Sequence, residues 1–418
     1  MIKRFYILFA LIILSTFSLA QEADQMAELY QKANEKFENG DFKSAVLDYS
    51  QLINSKFNNK EVYVKRGIAN YKLKKYSEAK NDFDDAKKAK VNSPELFGYL
   101  GLIKYQEKDY QSAAADLEKA VALGFKNADA SYNLGNAKFR LESYQDAIKY
   151  YDQAEGLGLA EAPLFNNRGK AKATLGDYAA AVADYDKALQ KDANYDKALE
   201  NRAAAYYELK KWENAAADYD QLINIGQVDA ENFARKGIAE YKSEQVEQSI
   251  PTMENALKRG SKIDVLKYYL GEAYVAQENY KKAAQYYDQA LRANLEEKSI
   301  PVKLGSAYFL SGAYRQAEKA LSEAISKGNN EVQAYLYRGL ARYELKDDVG
   351  AAGDLKQAID KGAKNYQAFY YYGNMQFKAE EYHLAVTAYN GAATMLSDDE
   401  VLFNNRGKAQ LMLQQYDA

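Results

Sequence analysis

Residues 164–171 read LFNNRGKA, and residues 402–409 read LFNNRGKA again. The two copies lie 238 residues apart, seven steps of 34, and 34 is the period of most of the chain. A small residue marks each step: Ala33, Gly67, Gly101, Gly135, Gly169, Ala203, Gly237, Gly271, Gly305, Gly339, Gly373 and Gly407. Self-similarity at a fixed period of this size signals an array of one supersecondary unit.

Twelve positions past the mark stands a second small residue, such as Ala45, Ala181 or Ser249. Four positions further on the side chain is large and apolar, as in Tyr49, Phe83, Leu117 and Tyr185. Within a repeat the apolar residues recur at spacings of three and four, as in Leu175, Tyr178, Val182, Tyr185 and Leu189, the pattern of a helix face. Each repeat therefore reads as two helices, parted by polar pairs such as Gly40 and Asp41, Lys108 and Asp109, or Gly176 and Asp177. Small residues let two antiparallel helices approach closely. A glycine inside a helix costs about 1 kcal/mol relative to alanine, so its recurrence requires packing that offsets the loss.

The fifth repeat, APLFNNRGKAKATLGDYAAAVADYDKALQKDANY (162–195), resembles the tetratricopeptide repeat (TPR), with Gly169, Gly176, Tyr178, Ala181, Tyr185 and Ala188 at the positions that motif expects. Eleven full repeats start at 26, 60, 94, 128, 162, 196, 230, 264, 298, 332 and 366, and a truncated twelfth covers 400–418. The resemblance implies an all-α chain, an α-solenoid (right-handed superhelix) of stacked helix-turn-helix units running unbroken over 26–418. The family's usual proline near the end of the second helix is missing throughout. Pro94 and Pro163 instead open first helices, where a missing N–H costs nothing. Repeat seven departs most, with Val246, Ser249 and Pro251 in place of an aromatic, an alanine and a non-proline residue. A proline inside a helix removes a backbone bond and clashes with the preceding turn. This predicts a second helix that starts late with Ser249 as its cap, or one kinked at Pro251.

Ahead of the array, Lys3 and Arg4 precede an apolar run from Phe5 to Leu14, and Ser18 and Ala20 occupy the small-residue positions of a cleavage site. The run is short for a bilayer span. Residues 1–20 read as a signal peptide cleaved after Ala20, with 21–25 a short lead-in. The expected protein is exported, periplasmic or secreted, and touches membrane only through the leader before cleavage. There is no cysteine, so neither a disulfide nor a lipid-anchored cysteine is available. The formal charge of −3, near −5 without Lys3 and Arg4, offers no basic field for nucleic acid.

The arginine of LFNNRGKA belongs to a column. The residue before the mark is basic in seven repeats: Lys32, Arg66, Arg168, Arg202, Lys236, Arg338 and Arg406. Sixteen residues later stand Asp48, Asp82, Asp184, Asp218 and Asp354, whereas Lys236 faces Thr252. Among repeats lacking the base, Asp116 opposite Leu100 is the one aspartate. This covariation within one sequence predicts structural ion pairs Arg66–Asp82, Arg168–Asp184, Arg202–Asp218 and Arg338–Asp354.

Four residues past the mark the side chain is aromatic in nine repeats: Phe37, Tyr71, Tyr105, Phe139, Tyr207, Tyr241, Phe309, Tyr343 and Phe377. The resemblance places first helices along an inner groove, so this row either lines a partner-binding groove or serves packing. Such a groove suits an extended peptide or a helix. Some members of the family grip a partner's C-terminal carboxylate with Lys and Asn from adjacent repeats. Here Asn133, Asn136, Asn166, Asn167 and Lys170 are available, but no adjacent pair of repeats supplies the full basic set, so that grip is not expected.

Enzymatic chemistry is poorly provided for. With no cysteine and one histidine, His383 at the start of a second helix at a position that other repeats fill with variable polar residues, the common metal sites and histidine-activated nucleophiles have few residues to draw on. No catalytic residue, metal or cofactor is expected. The sequence thus points to an exported protein–protein interaction scaffold that binds a protein or peptide partner. Two alternatives stay open: the array as one arm of a longer protein whose effector domain lies beyond residue 418, and an extracytoplasmic carbohydrate-related binding protein whose aromatics stack on sugars.

Overall fold

A computed structural model describes residues 21–416 apart from 294, 296 and 397, so the leader expected over 1–20 lies outside the described residues. Among the described residues the chain forms helices and turns with no strand. Two helices fill each repeat; in the fifth they are Ala162–Thr174 and Tyr178–Lys191. The helix that opens the array spans 21–38, running through the lead-in. Within each of two compact units, each helix packs on the next in sequence, and first helices of neighbouring repeats also touch, as Pro94–Gln106 and Ala128–Arg140 do. This stacking of helix pairs is an α-solenoid. The chain divides into two compact units, Met1–Leu209 and Lys210–Ala418. The division falls inside repeat six, between its helices Asp196–Glu208 and Trp212–Asn224.

The turn inside each repeat follows from one backbone torsion. Seven residues past the mark, from Gly40 to Glu380, φ is positive in all eleven full repeats, between 56° and 85°. A left-handed residue ends a helix by turning the next N–H back onto the last turn: Asp177 N donates to Lys172 O at 3.0 Å. The same Asp177 then caps the following helix, its carboxylate accepting from Ala180 N at 3.1 Å. One dipeptide thus closes the first helix and opens the second. Asp41, Asp109 and Asp347 cap in the same way.

The marks sit where the two helices of a repeat come closest. A Cβ on Gly169 would fall 2.7 Å from the Tyr185 ring and 3.1 Å from the carbonyl oxygen of Ala181. Ala181 and Tyr185 are fully buried. The other mark glycines through Gly373 meet the same sixteenth-position side chain within 3 Å. The glycine is required by contact across the pair, which offsets its cost in helix propensity.

Repeat seven corrects the reading of a late helix start. Its second helix runs Val246–Lys258, in register with its siblings, and Pro251 lies inside it. The start is set by the left-handed Glu244 (φ 65°) and by Gln245 N bonding to Glu240 O at 2.9 Å. Ser249 does not cap; its hydroxyl donates to Val246 O at 2.8 Å. Pro251 and Glu247 are both exposed, so the ring sits on the outer side of the helix, away from the buried Ser249, Ile250 and Met253.

Two alanine substitutions separate propensity from packing. Gly169→Ala is expected to lower stability by up to about 2 kcal/mol, because overpacking costs about 1–3 kcal/mol against a propensity gain of about 1. Gly353→Ala, at an exposed helical glycine with nothing within 4 Å of its Cβ position, is expected to stabilise by about 1 kcal/mol. Urea unfolding midpoints of both variants test this. An equal rise in the two would show that the mark accommodates a methyl group.

Candidate functional site

The cations before the mark connect three helices. Arg66 Nη2 stands 2.5 Å from Asp82, Arg168 Nη2 2.6 Å from Asp184 and Arg338 Nη2 2.6 Å from Asp354. In all three the Nε also donates to the carboxylate, the fork geometry that guanidinium favours. The remaining nitrogen reaches back sixteen residues to the second helix of the preceding repeat: Arg66 to Ser50 at 3.1 Å, Arg168 to Asp152 at 2.7 Å and Arg338 to Ser322 at 3.3 Å. Arg202 reaches Asp186 at 2.6 Å; its expected partner Asp218 belongs to the second compact unit.

The structure adds a column that the sequence reading did not compare. Three residues past the mark, Lys36, Asn70, Lys104, Lys172 and Arg342 also bind the aspartate, at 2.5–2.9 Å. Lys104 explains Asp116, which has no base before its mark. It also corrects the first repeat: Asp48 pairs with Lys36, whereas Lys32 stands 2.7 Å from Glu28 on its own helix. Burial pushes the Asp82 carboxyl up, while Arg66 and Asn70 pull it down less strongly. Burial opposes the charge of Arg168, but Asp184 and Glu155 hold its pKa above the usual value.

Repeat seven inverts this chemistry. Glu240 takes the position of the second cation and Thr252 that of the aspartate. Glu240 is 6% exposed, its Oε2 is buried without a hydrogen-bond partner, and Lys236 stands 3.7 Å from Oε1. Burial pushes its pKa up, with Thr252 and Lys236 opposing and Asp220 adding to the rise.

All nine aromatics of the expected groove row are half-buried. Several pack edge-on against the aromatic that follows the turn, Phe37 on Phe42 at 5.5 Å and Phe139 on Tyr144 at 5.2 Å. Part of each of these rings is therefore committed to the fold. Two of the nine, Tyr105 and Phe139, help to line a cavity of about 240 Å³ across repeats three to five, with Tyr132, Asn136, Arg140, Tyr151, Asn167 and Lys170.

Hydrogen bonds order its floor. Asn136 Oδ1 accepts from Tyr151 Oη at 2.8 Å and from Asn167 Nδ2 at 3.0 Å, and Asn167 Nδ2 also donates to Tyr132 Oη at 3.0 Å. With its oxygen occupied, Asn136 presents Nδ2 as a donor. Burial pushes the phenols of Tyr105, Tyr132 and Tyr151 up, so they stay neutral near pH 7. Arg140 and Lys170 are exposed, with Lys170 Nζ 5.8 Å from the Phe139 centroid. None of the eight lining residues is acidic. Asn136, Asn167 and Lys170 were candidates in the sequence; Arg140 and Tyr132 were not, because their positions carry no repeat-wide pattern. Asn133 turns instead to its own helix, donating to Asp129 O at 2.8 Å. Among the described residues no cluster of His, Cys, Asp and Glu could hold a metal ion, and no helix is long and apolar enough to cross a membrane.

The tetratricopeptide repeat model matches residues 99–163, 166–230, 235–294 and 302–363, more than half of the sequence, so the chain belongs to the tetratricopeptide repeat family. Such repeats suggest a protein–protein interaction scaffold. No curated protein matches the sequence. Similar solved structures include YrrB, described as a TPR protein with an unusual peptide-binding site, at 17% identity over 44% of this chain and 96% of that one, TM-score 0.41. Others are the C-terminal part of a TPR repeat-containing protein from Cytophaga hutchinsonii (20% identity, 66% and 99% covered, TM-score 0.38) and a tetratricopeptide repeat protein from Parabacteroides merdae (17%, 59% and 97%, TM-score 0.37).

The ion pairs and their inversion each yield a measurable consequence. Arg168 and Asp184 side chains are 4% and 3% exposed, so Arg168→Ala is expected to cost about 3–5 kcal/mol. In a double-mutant cycle Arg168→Ala and Asp184→Ala together should cost less than their sum; strict additivity would show the two are not coupled. Glu240→Gln is expected to stabilise by about 1 kcal/mol at pH 7. The folded pKa of Glu240 lies above the unfolded value of 4.5, so protonation favours folding. The advantage of Gln therefore shrinks as pH falls through the folded pKa and vanishes below about 4.5. Thermal melts from pH 4 to 8 report it; a gap that widens on acidification would contradict this sign.

Proposed function

We propose that the chain is an exported scaffold whose first-helix groove takes an extended, acidic peptide segment of a protein partner, seated at the cavity of repeats three to five. The observation that carries this reading is the pairing of oriented amides with two exposed cations beside aromatic walls. Carboxamides suit the donor and acceptor pattern of an extended peptide backbone. Arg140 and Lys170 suit a carboxylate side chain or terminus, and the half-exposed rings supply apolar contact. Export rests on the leader expected over residues 1–20, cleaved after Ala20.

A library of fluorescein-labelled extended heptapeptides, half of them carrying a central Asp or Glu, tests the reading by anisotropy. Acidic members are expected to bind, more weakly as salt rises, and Asn136→Ala is expected to weaken them about tenfold, a loss of about 1.4 kcal/mol. Binding that ignores peptide charge, or is unmoved by both Asn136→Ala and Lys170→Glu, overturns it. N-terminal sequencing of the exported protein should begin at Gln21; full-length protein confined to the cytoplasm would overturn the export reading.

A further inference from the structure

The cavity of repeats three to five has a counterpart elsewhere in the chain. Adding 238 to its eight residue numbers leads to residues of the same kind in repeats ten to twelve, seven identical and the eighth exchanging Arg140 for Lys378. The polar floor recurs bond for bond. Tyr389 Oη donates to Asn374 Oδ1 at 2.8 Å, Asn405 Nδ2 to Tyr370 Oη at 3.2 Å and Asn405 Nδ2 to Asn374 Oδ1 at 3.4 Å. Tyr370 and Tyr389 stand 6.2 Å apart at 49°, against 5.9 Å and 47° for Tyr132 and Tyr151. Tyr151 and Tyr389 are both buried, both pairs of asparagines are half-buried, and Lys170 and Lys408 are both exposed.

Common repeat architecture does not account for this. An asparagine one past the mark occurs in repeats one, four and eleven alone, and two before the mark in repeats four, five, six and twelve alone. Of all junctions between adjacent repeats, two combine them, and they are the two described. The same 238-residue relation links a second pair of junctions, and there the acceptor has changed while its donors have not. Asn34, which accepts from Tyr49 and Lys65, corresponds to Glu272, which accepts from Tyr287 and Lys303. The side chain one past the mark is thus free to change, and at the asparagine junctions it has not.

We infer that the chain carries two equivalent sites for acidic, extended peptide segments, one in each compact unit, and binds two such segments at once. The inference rests on the peptide reading of the first cavity. The sites differ at their edges: in the second, Tyr371 stacks on Tyr343 at 4.0 Å, where the first has Asn133. Where the first has Tyr110 beside Arg140, the second has Asp348, 3.0 Å from Lys378. That aspartate neutralises one of the two cations, so the second site is the weaker for an acidic ligand.

Isothermal titration to millimolar concentration, using the tightest acidic heptapeptide from the library above, tests the inference on the full chain. Two bound peptides per chain are expected, with unequal affinities. Asn136→Ala with Lys170→Glu should leave one, Asn374→Ala with Lys408→Glu should leave one, and Asp348→Tyr should tighten the weaker site severalfold. The exposed-lysine variants Lys170→Glu and Lys408→Glu, made singly, serve if the asparagine variants unfold. One peptide per chain, lost with the first pair of substitutions and unmoved by the second, overturns the inference while leaving the proposed function standing. No binding to the unaltered chain overturns both.

Discussion

The fold depends on how closely the two helices of a repeat can approach at one point. At the mark a glycine backbone lies against the ring or branched side chain sixteen residues later, and an added methyl group would collide with it. This contact fixes the pair's spacing, and the turn has to deliver the second helix to it. A left-handed residue does so in the same number of residues every time, reinforced in several repeats by a capping side chain, which is why the array keeps its period of 34 without an insertion. A repeat contacts chiefly its neighbours, so the same local solution can be used again along the chain with no long-range adjustment.

Polar chemistry is layered onto that frame in two registers. The buried register is the arginine–aspartate column, where one guanidinium joins both helices of its own repeat and the second helix of the repeat before. Burying charge is costly unless every partner is present, and the second cation three past the mark supplies what is missing when the first is a leucine, as at Asp116. Repeat seven shows the limit: with the acid moved to Glu240 and the aspartate replaced by Thr252, one carboxylate oxygen is left buried without a bond. The other register faces the groove. Residues two before and one past the mark take no part in the glycine contact, so they vary from repeat to repeat and can hold Asn, Lys, Glu, Ile or Leu without altering the fold.

This division governs what could be read from the letters. Whatever recurs at 34 was legible: the helix pair, the mark, its large partner, the position of the turn, and the arginine column together with its aspartate. Asp48 was assigned to the wrong cation because Lys32 and Lys36 lie on the same helix one turn apart, and spacing alone does not say which reaches across. The second helix of repeat seven was expected to start late because Pro251 is a strong local signal; the turn at Glu244 and Gln245 outweighs it, and Pro251 lies on the exposed side of the helix. The cavity was only half legible. Asn136, Asn167 and Lys170 stood out as polar residues on first helices, but Arg140 and Tyr132 reach it from positions that carry no pattern across the array.

A site that breaks the period is the informative feature of a periodic protein. Packing accounts for much of the ninefold aromatic row, since rings such as Phe37 and Phe139 lie against the aromatic after their own turn and Tyr241 and Tyr343 against a ring of the next repeat, and it explains why Tyr151 and Tyr389 are buried. It does not explain two exposed cations beside a carboxamide pair held by tyrosine hydroxyls. The fold does not call for such a pair, since other repeats hold Ile68, Leu102 or Ile238 one past the mark and Lys65, Tyr99 or Arg235 two before it and keep the same helices. Residues that the fold does not require, arranged with the same bonds at two junctions seven repeats apart, are best accounted for by something outside the fold that both junctions meet.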